Sequence, residues 1–338
     1  NPIDKLYTVV MRKILSFFTV SFYLYLCRLA SVILIASLYA FSWPTELLVS
    51  QLPVLFVATS TLIAIIIIAI IIRRIHPSAA DTLSLLITVI ILVTIPAQIL
   101  TRQQSLPSTI DQSSGPTITY ATYNKLYTNQ DLQSAATQFR QQQADIISFQ
   151  EIDASEIDYY ADQLAFAYSD ITNTKSSAFG SEIGIVSRYP IQESAQIGLD
   201  GDSTALRSVV VLPDDTHIAV YTVHILPPFY PAEYDRGARA FRSLADTLTQ
   251  EKLPTLMAGD FNTTIYSPKM TTLTQALRTN SIYSTTSGIN PACSWFTAPL
   301  CMRIDHILHS DSLAKTSQPH IAPPTGSDHR IVSVEFRL

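Results

Sequence analysis

Acidic, amide and imidazole side chains follow several short apolar runs in the last two thirds of the sequence. Glu151 follows the run 145–149, and Asp260 follows the run 255–258. Loops at the ends of strands commonly form ligand sites, because strand ends can converge on one edge of a sheet. Eight positions share this placement, and they are Asn124, Glu151, His224, Asp260, Asn262, Asp305, Asp328 and His329.

These residue types suit the metal-assisted cleavage of a phosphate ester. Such a reaction needs an electrophilic metal, an activated water and donors that stabilise charge on the phosphoryl oxygens. Hard cations such as Mg²⁺ or Mn²⁺ prefer oxygen ligands, which Glu151 offers at a strand end. Asp260 and Asn262 are two positions apart, so both can face one side, as an acceptor for a water proton and as an amide donor. A histidine beside a carboxylate, as in Asp328 and His329, can act as acid, base or phosphate donor.

Each of these residues, taken alone, also has an ordinary structural explanation. Asp260 could cap a loop, Asn262 could belong to a turn, and Glu151 could be a solvated residue at a strand end. A single histidine such as His224 is more often a structural or surface residue than a catalytic one. One metal site that binds phosphate explains all of the positions by a single geometry, and we therefore expect such a site.

Strand-like and helical segments alternate along residues 117–338, which indicates a sheet-based fold. The expected strands are 117–123, 145–149, 183–187, 208–212, 218–224, 255–258, 304–308 and 331–336. The expected helices are 131–143 and 231–250, the second of which begins with a proline.

Seven short motifs follow one another between residues 122 and 329. They are Thr122-Tyr123-Asn124, the segment 145–151 that ends in Gln150-Glu151, Ser187-Arg188-Tyr189-Pro190-Ile191, Val223-His224, Gly259-Asp260-Phe261-Asn262, Arg303-Ile304-Asp305-His306-Ile307 and Ser327-Asp328-His329. This ordered set closely resembles the motifs of the endonuclease/exonuclease/phosphatase superfamily, which has the deoxyribonuclease-I-like fold. The resemblance implies a four-layer α/β sandwich, in which helices flank two packed β-sheets.

The resemblance also implies a metal site. Glu151 is then the main ligand for Mg²⁺ or Mn²⁺, Asn124 beside it organises the metal and the phosphate, and Asp328 adds to the site. Arg207 is expected to support substrate binding. It precedes the strand that leads to His224. Some DNA-repair members have an acidic residue two positions after the first asparagine, where this chain has Leu126. That difference weakens the interpretation as a repair nuclease.

The remaining site residues receive catalytic roles from the same resemblance. Asp260 is expected to orient or deprotonate the attacking water, and Asn262 to bind a phosphate oxygen. His329 is expected to contact the scissile phosphate, with Asp305 as its orienting carboxylate. His224 is expected to be a phosphate ligand or proton donor. Either Asp260 or His329 could be the general base.

The first 102 residues differ in composition from the rest of the chain. Only 14% of the whole sequence is charged, against about 25% in an ordinary globular protein. Long apolar stretches precede residue 103, and their lengths predict three transmembrane helices at about 20–43, 47–72 and 82–100. We therefore expect a four-layer sandwich preceded by a small helical bundle in the membrane.

This division gives a membrane anchor at 1–102, a linker at 103–116 and a catalytic domain at 117–338. Basic residues precede the first expected span, and Arg73 and Arg74 follow the second. Because basic flanks mark the inner side, an integral membrane protein is expected, with a cytoplasmic N-terminus and an extracytoplasmic catalytic domain. Two spans in place of three would put the catalytic domain inside.

The charge of the second part bears on the substrate. Residues 103–338 have a net charge of −9 and no basic stripe of the kind that binds nucleic acid. We therefore expect a phosphodiesterase that acts on a lipid head group or another membrane-proximal substrate, with the bilayer as a partner and no obligate protein partner evident. An extracytoplasmic nuclease and a catalytically silent binding or sensor module are the alternatives. Cys293 and Cys301 bracket a short hairpin, where a disulfide and two free thiols are both open.

Overall fold

A computed structural model gives the fold of the chain. It describes residues 52–73, 79–104, 116–172, 182–200, 203–270, 282–284, 294–297, 300–310 and 312–337, together with a few single residues among 22–46 and residue 273. The chain divides into two compact units, Asn1–Arg102 and Gln103–Leu338, which are described separately below.

The first unit contains two long helices, α1 (Leu52–Arg73) and α2 (Ala79–Gln104). The first expected span, at about 20–43, lies almost wholly outside the described residues. Among the residues that are described, no helix has the combination of length and hydropathy needed to cross a membrane. The expected anchor of three transmembrane helices is therefore not supported.

The second unit is built from short strands and helices. In chain order the elements are β1 (Thr117–Asn124), α3 (Leu132–Gln141), β2 (Ile146–Ile152), α4 (Ala154–Leu164), β3 (Tyr168–Ile171), β4 (Glu182–Ser187), β5 (Ile191–Leu199), β6 (Ser203–Val211), β7 (His217–His224), α5 (Pro231–Gln250), β8 (Thr255–Asp260), β9 (Ile282–Ser284), β10 (Trp295–Thr297), β11 (Leu300–Met302), β12 (Asp305–Ser310), β13 (Ala314–Lys315), β14 (His320–Ile321) and β15 (Val332–Arg337).

Most strands belong to two sheets. The first sheet has the order β13-β15-β1-β2-β4-β3, with β14 also paired to β15, and the second has the order β5-β6-β7-β8-β12-β9. Each sheet contains one parallel pair, β1 with β2 and β7 with β8, and the other pairs are antiparallel. Strands β10 and β11 form a separate hairpin, in agreement with the short hairpin expected there.

Three apolar cores stack these elements into four layers. A core between the sheets joins Tyr120 of the first sheet to Leu256 of the second. Helices α3 and α4 pack on the outer face of the first sheet, where Phe139 and Tyr160 contact Phe149. Helix α5 packs on the outer face of the second sheet. Two packed sheets between helices confirm the expected α/β sandwich, and burial of these apolar faces is the main driving force for the arrangement.

Several elements were absent from the sequence prediction, among them helix α4 and strand β5. Helix α4 begins with a capping box, in which Asp153 accepts a hydrogen bond from the Glu156 amide and the Glu156 side chain accepts one from the Asp153 amide. The spacing of these two acidic residues was a recognisable start signal. Strand β5 lies at a sheet edge and is mostly exposed, so it lacks the apolar alternation by which a half-buried strand is recognised.

The sheet register positions the candidate site. The parallel pairs bring Asn124 beside Gln150 in the first sheet and His224 beside Asp260 in the second. The antiparallel strand β12 begins at the same edge, where Asp305 is paired with Asp260. Several of the expected site residues therefore lie at one edge because the strands that hold them start or end there.

Candidate active site

Glu151 occupies a bulge in strand β2. The partners of Gln150 and Ile152 on β4 are the consecutive residues Ile183 and Glu182, so Glu151 is an extra residue without a partner. Its φ of 54° lies in the left-handed region, which costs a non-glycine residue on the order of 1–3 kcal/mol. The Tyr127 amide donates a hydrogen bond to Glu151 Oε2 at 3.1 Å. The bulge and this bond fix the carboxylate at the site edge.

The side-chain amide of Asn124 lies between two carboxylates. Asn124 Nδ2 donates to Glu151 Oε1 and to Asp260 Oδ2, both at 3.0 Å. Asn124 Oδ1 accepts a hydrogen bond from the Leu126 amide at 3.0 Å. Asn124 therefore connects the two sheets through its NH₂ group and organises the carboxylates, while its oxygen is engaged by the backbone.

The end of strand β8 and the residues that follow it have an unusual backbone. A Cβ atom at Gly259 would lie 1.8 Å from the carbonyl oxygen of Val223, so only glycine fits beside strand β7. Asn262 has a left-handed φ of 48°, its amide donates to Asp260 Oδ1 at 2.8 Å, and its Nδ2 donates to the Ile225 carbonyl at 2.9 Å. Asn262 is thus at the site, where it holds Asp260 and the loop after β7. Its expected bond to a phosphate oxygen stays a prediction.

Asp305 and His329 form a buried pair. His329 Nδ1 lies 3.0 Å and 3.2 Å from the two carboxylate oxygens of Asp305, and His329 Nε2 lies 3.6 Å from Asp260 Oδ2. Burial lowers the pKa of His329, but Asp305 and Asp260 outweigh it and raise the pKa to about 10. Burial raises the pKa of Asp260 to about 7, although His329 acts in the opposite direction. The imidazole can therefore hold a proton between the two carboxylates.

His224 points at the same carboxylates from strand β7. Its Nε2 lies 4.0 Å from Glu151 Oε1 and 3.9 Å from Asp260 Oδ2. The residue is buried, and within the described part of the chain neither ring nitrogen has a hydrogen-bond partner. Burial lowers the pKa of His224, which favours the neutral ring. A buried imidazole with unmet hydrogen bonds is costly in a folded protein and is typical of a functional group.

Two predicted residues are not brought into this cluster. Arg207 lies in the middle of β6, where its guanidinium pairs with Glu193 and Glu251, so its expected substrate role is not supported. Asp328 Oδ2 accepts a hydrogen bond from Trp295 Nε1 at 2.8 Å, and no described contact joins Asp328 to Glu151. Its expected part in the metal site stays a prediction.

Sequence reasoning missed the groups that support the cluster. Lys125 is buried and donates to Glu156 at 2.6 Å, which ties the loop after β1 to helix α4. Ser327 donates to the Asn124 carbonyl and accepts from the His329 amide, at 2.9 Å and 3.0 Å. The capping box marked Glu156, whereas nothing in the sequence marked the long-range partners of Lys125 and Ser327.

Two packed β-sheets flanked by helices form an α/β sandwich. The carboxylates, amide and histidines at one edge of it are residue types that suit the cleavage of phosphate esters. A family model described as "Endonuclease/Exonuclease/phosphatase family" matches residues 121–329. This match covers more than half of the chain, so the chain belongs to that family.

Solved structures agree with the assignment. The endonuclease/exonuclease/phosphatase from Beutenbergia cavernae is 16% identical with a TM-score of 0.55, over 66% of this chain and 72% of that chain. The human Nocturnin catalytic domain with bound sulfate is 15% identical with a TM-score of 0.54, over 66% and 95%. D. rerio TDP2 complexed with a single-strand DNA product is 12% identical with a TM-score of 0.53, over 66% and 99%. These likenesses establish the fold. A search of curated proteins gives no match.

The family depends on divalent metal ions, and the donor set of this chain fits one. Asp260, Asp305 and His329 place possible ligand atoms within 4.8 Å of one another, but a protonated His329 is a poor ligand. Glu151 and Asp260 offer oxygen atoms that share one Asn124 NH₂ group. Hard cations prefer such oxygens, so Glu151 and Asp260 are the residues that would hold a divalent metal.

Proposed function

We propose that the chain is a Mg²⁺- or Mn²⁺-dependent phosphodiesterase that acts on a lipid head group or another membrane-proximal phosphate ester. The observation that supports this most directly is the buried cluster in which Asn124 joins Glu151 to Asp260. The Asp305–His329 pair lies beside it. The cluster supplies a metal carboxylate, a base and a proton donor within a few ångströms.

Each residue has a role that follows from its contacts. Glu151 would hold the metal, which when bound would polarise the phosphate and activate water. Asp260 orients the attacking water, because its Oδ2 faces both Asn124 and His329. His329, held by Asp305, donates hydrogen bonds or a proton to the phosphoryl oxygens. His224 is free to bind a phosphate oxygen through a nitrogen that has no partner in the described structure.

Exposed aromatic side chains support a substrate with an apolar portion. In the described part of the second unit, the large apolar side chains that are exposed are Tyr127, Phe229 and Tyr230. All three lie on loops that leave the site edge, after β1 and after β7. Aromatic side chains of this kind are suited to the interface of a bilayer. The net charge of −9 over residues 103–338 disfavours a polyanionic substrate, which basic residues normally bind.

A nuclease is the second candidate. Exposed aromatic side chains can also stack on the bases of a single strand, and TDP2, one of the similar structures, is complexed with a single-strand DNA product. A catalytically silent module is less well supported, because Glu151, Asp260, Asp305 and His329 are all present and lie at one edge.

The full chain should hydrolyse bis-p-nitrophenyl phosphate with Mg²⁺ or Mn²⁺ and lose this activity with EDTA. Replacement Glu151→Gln should reduce turnover by roughly a hundredfold or more, because it removes the charged metal ligand while keeping the shape. The matched control is Glu193→Gln, at the exposed edge strand β5, which should leave turnover unchanged. A phospholipid panel compared with single-stranded DNA then selects between the two candidates. A folded chain that cleaves none of these substrates with either metal would falsify the proposed function.

The location is part of the proposal. Apolar side chains are exposed along both helices of the first unit, among them Ile65, Ile68 and Ile71 on α1 and Leu83 and Val93 on α2. Exposed apolar surface of this extent is typical of membrane or protein contact. We expect an integral membrane protein whose N-terminus is cytoplasmic and whose second unit is extracytoplasmic. Protease added to intact cells should then digest the second unit, and complete protection or release by alkaline carbonate would contradict this location.

A further inference from the structure

The hairpin β10–β11 lies against both members of the Asp305–His329 pair. Trp295 forms a bridge with His329, and its indole nitrogen donates to Asp328, the residue before His329, at 2.8 Å. On its other side the hairpin continues through residues 303–304 into strand β12, which begins at Asp305. The hairpin therefore contacts two chain segments that are distant in sequence and that must meet for the pair to form.

Ser294, the residue before β10, connects these segments directly. Its side chain is fully buried, and its Oγ accepts hydrogen bonds from the amides of Ile304 and Asp305, both at 3.0 Å. Its carbonyl accepts a hydrogen bond from the Arg330 amide at 2.7 Å, and its own amide donates to the Met302 carbonyl at 3.1 Å. One serine thus fixes the backbone of Asp305 by its hydroxyl and the backbone next to His329 by its carbonyl.

We propose that Ser294 is a positioning residue that sets the spacing of Asp305 and His329, with Trp295 holding the same segment from the indole side. The inference rests on the proposed phosphodiester hydrolysis. The Asp305–His329 bond is 3.0 Å long and His329 must also reach the substrate from one fixed orientation. Because a catalytic group displaced by about 1 Å can lose on the order of a hundredfold in rate, a backbone anchor of both partners affects turnover without touching the substrate.

The chain offers a matched control in Ser187. This serine is also fully buried, and its Oγ also accepts a backbone hydrogen bond, from the Tyr189 amide at 3.0 Å. It lies at the end of β4 that is paired with Ile146, which is the opposite end of β2 from Glu151. Loss of the hydroxyl leaves two backbone amides without their acceptor at Ser294 and one at Ser187. Only Ser294 lies beside the site.

Turnover of bis-p-nitrophenyl phosphate by the full chain should separate the two serines. Ser294→Ala should lower kcat roughly ten- to a hundredfold with KM within twofold, and Ser294→Thr, which keeps the hydroxyl, should recover most of the loss. Both Ser294→Ala and Ser187→Ala should lower Tm, but Ser187→Ala should leave kcat unchanged. Trp295→Phe should lower kcat less than Ser294→Ala, because the ring and the backbone bridge remain. Equal kcat for Ser294→Ala and Ser187→Ala would overturn the inference and leave the proposed function intact.

A second readout does not depend on turnover. In nitrogen-15 spectra of the histidine rings, Ser294→Ala should shift or broaden the His329 signals, and Ser187→Ala should leave them in place. Unshifted His329 signals in a folded Ser294→Ala protein would overturn the inference even if the wild type cleaved none of the substrates. A wild type that cleaves none of the substrates would count against the proposed function alone.

Discussion

Two charged regions of the second unit make opposite use of buried carboxylates. At the site edge, Glu151, Asp260 and Asp305 crowd together, and His224 faces two of them without a hydrogen bond in the described structure. By contrast, Arg207 on strand β6 forms an ion pair with Glu251, which follows helix α5. Glu251 accepts hydrogen bonds from Arg207 at 2.7 Å and 3.3 Å, from the Tyr221 hydroxyl at 2.7 Å, and from two backbone amides.

The backbone is also less regular at the site edge than around Arg207. Glu151 and Asn262 at the site edge have left-handed φ angles, whereas Arg207 and Tyr221 lie in regular paired strands. The difference indicates that the site keeps unmet hydrogen bonds, repulsion and strain that substrate and metal can relieve. The region around Arg207 has already satisfied its charges, so it contributes to stability and has little left for a ligand.

Asp260→Asn should produce the largest effect and should separate activity from stability. We expect turnover to fall roughly a thousandfold or more, because the amide cannot accept the water proton. The Tm of the metal-free protein should be equal to or above that of the wild type, since one of three crowded carboxylates becomes neutral. Steady-state kinetics and thermal unfolding of the same samples provide the test. A large fall in Tm would show that Asp260 is needed for folding and would remove the contrast between the two regions.

More of the site residues could be predicted than of the residues that hold them in place, because the site residues lie in local sequence motifs. Short sequence motifs that can be recognised without the fold contain Asn124, Glu151, Asp260 and His329. The strand ends bring these residues together as expected. The carboxylate partners of Arg207 could not be predicted, because its position before His224 in sequence says nothing of Glu251, which lies 44 residues away.

The fold was predicted where periodicity is strong. Helix α5 has the expected bounds and begins at Pro231, whereas the exposed edge strand β5 and the left-handed bulge at Glu151 have no periodic signal. The hydroxyl of Ser294 could not be assigned from sequence either, since its two donors are the amides of Ile304 and Asp305, whose positions depend on the sheets. Backbone partners of this kind follow from the tertiary fold and leave no pattern in the side chains.

Arg207→Met should give an intermediate effect confined to stability. Without the guanidinium, the largely buried Glu251 retains only neutral donors, and Glu193 loses its partner. We expect the free energy of unfolding to fall by roughly 1–3 kcal/mol and kcat to stay within twofold. Urea unfolding and bis-p-nitrophenyl phosphate kinetics measure the two quantities. A tenfold loss of kcat at normal stability would restore the substrate role that the structure does not support.

The smallest effect concerns the pH dependence of stability at Glu251. Burial opposes its ionisation, but Arg207, the Leu253 amide and the Tyr221 hydroxyl outweigh burial and lower the pKa of Glu251 from 4.5 to about 2. A carboxyl group whose pKa is lower in the folded state than in the unfolded state contributes its full stabilisation at a pH above the unfolded-state pKa. This contribution is lost as the pH falls through the folded-state pKa. The Tm of the wild type should therefore exceed that of Glu251→Gln by a few degrees at pH 6. The gap should narrow as the pH falls from 4.5 toward 2. A Tm difference that is constant over this pH range would mean that Glu251 stabilises the fold by packing and neutral hydrogen bonds. The contrast between the Arg207 region and the site would then rest on backbone strain and unmet hydrogen bonds rather than on paired charges.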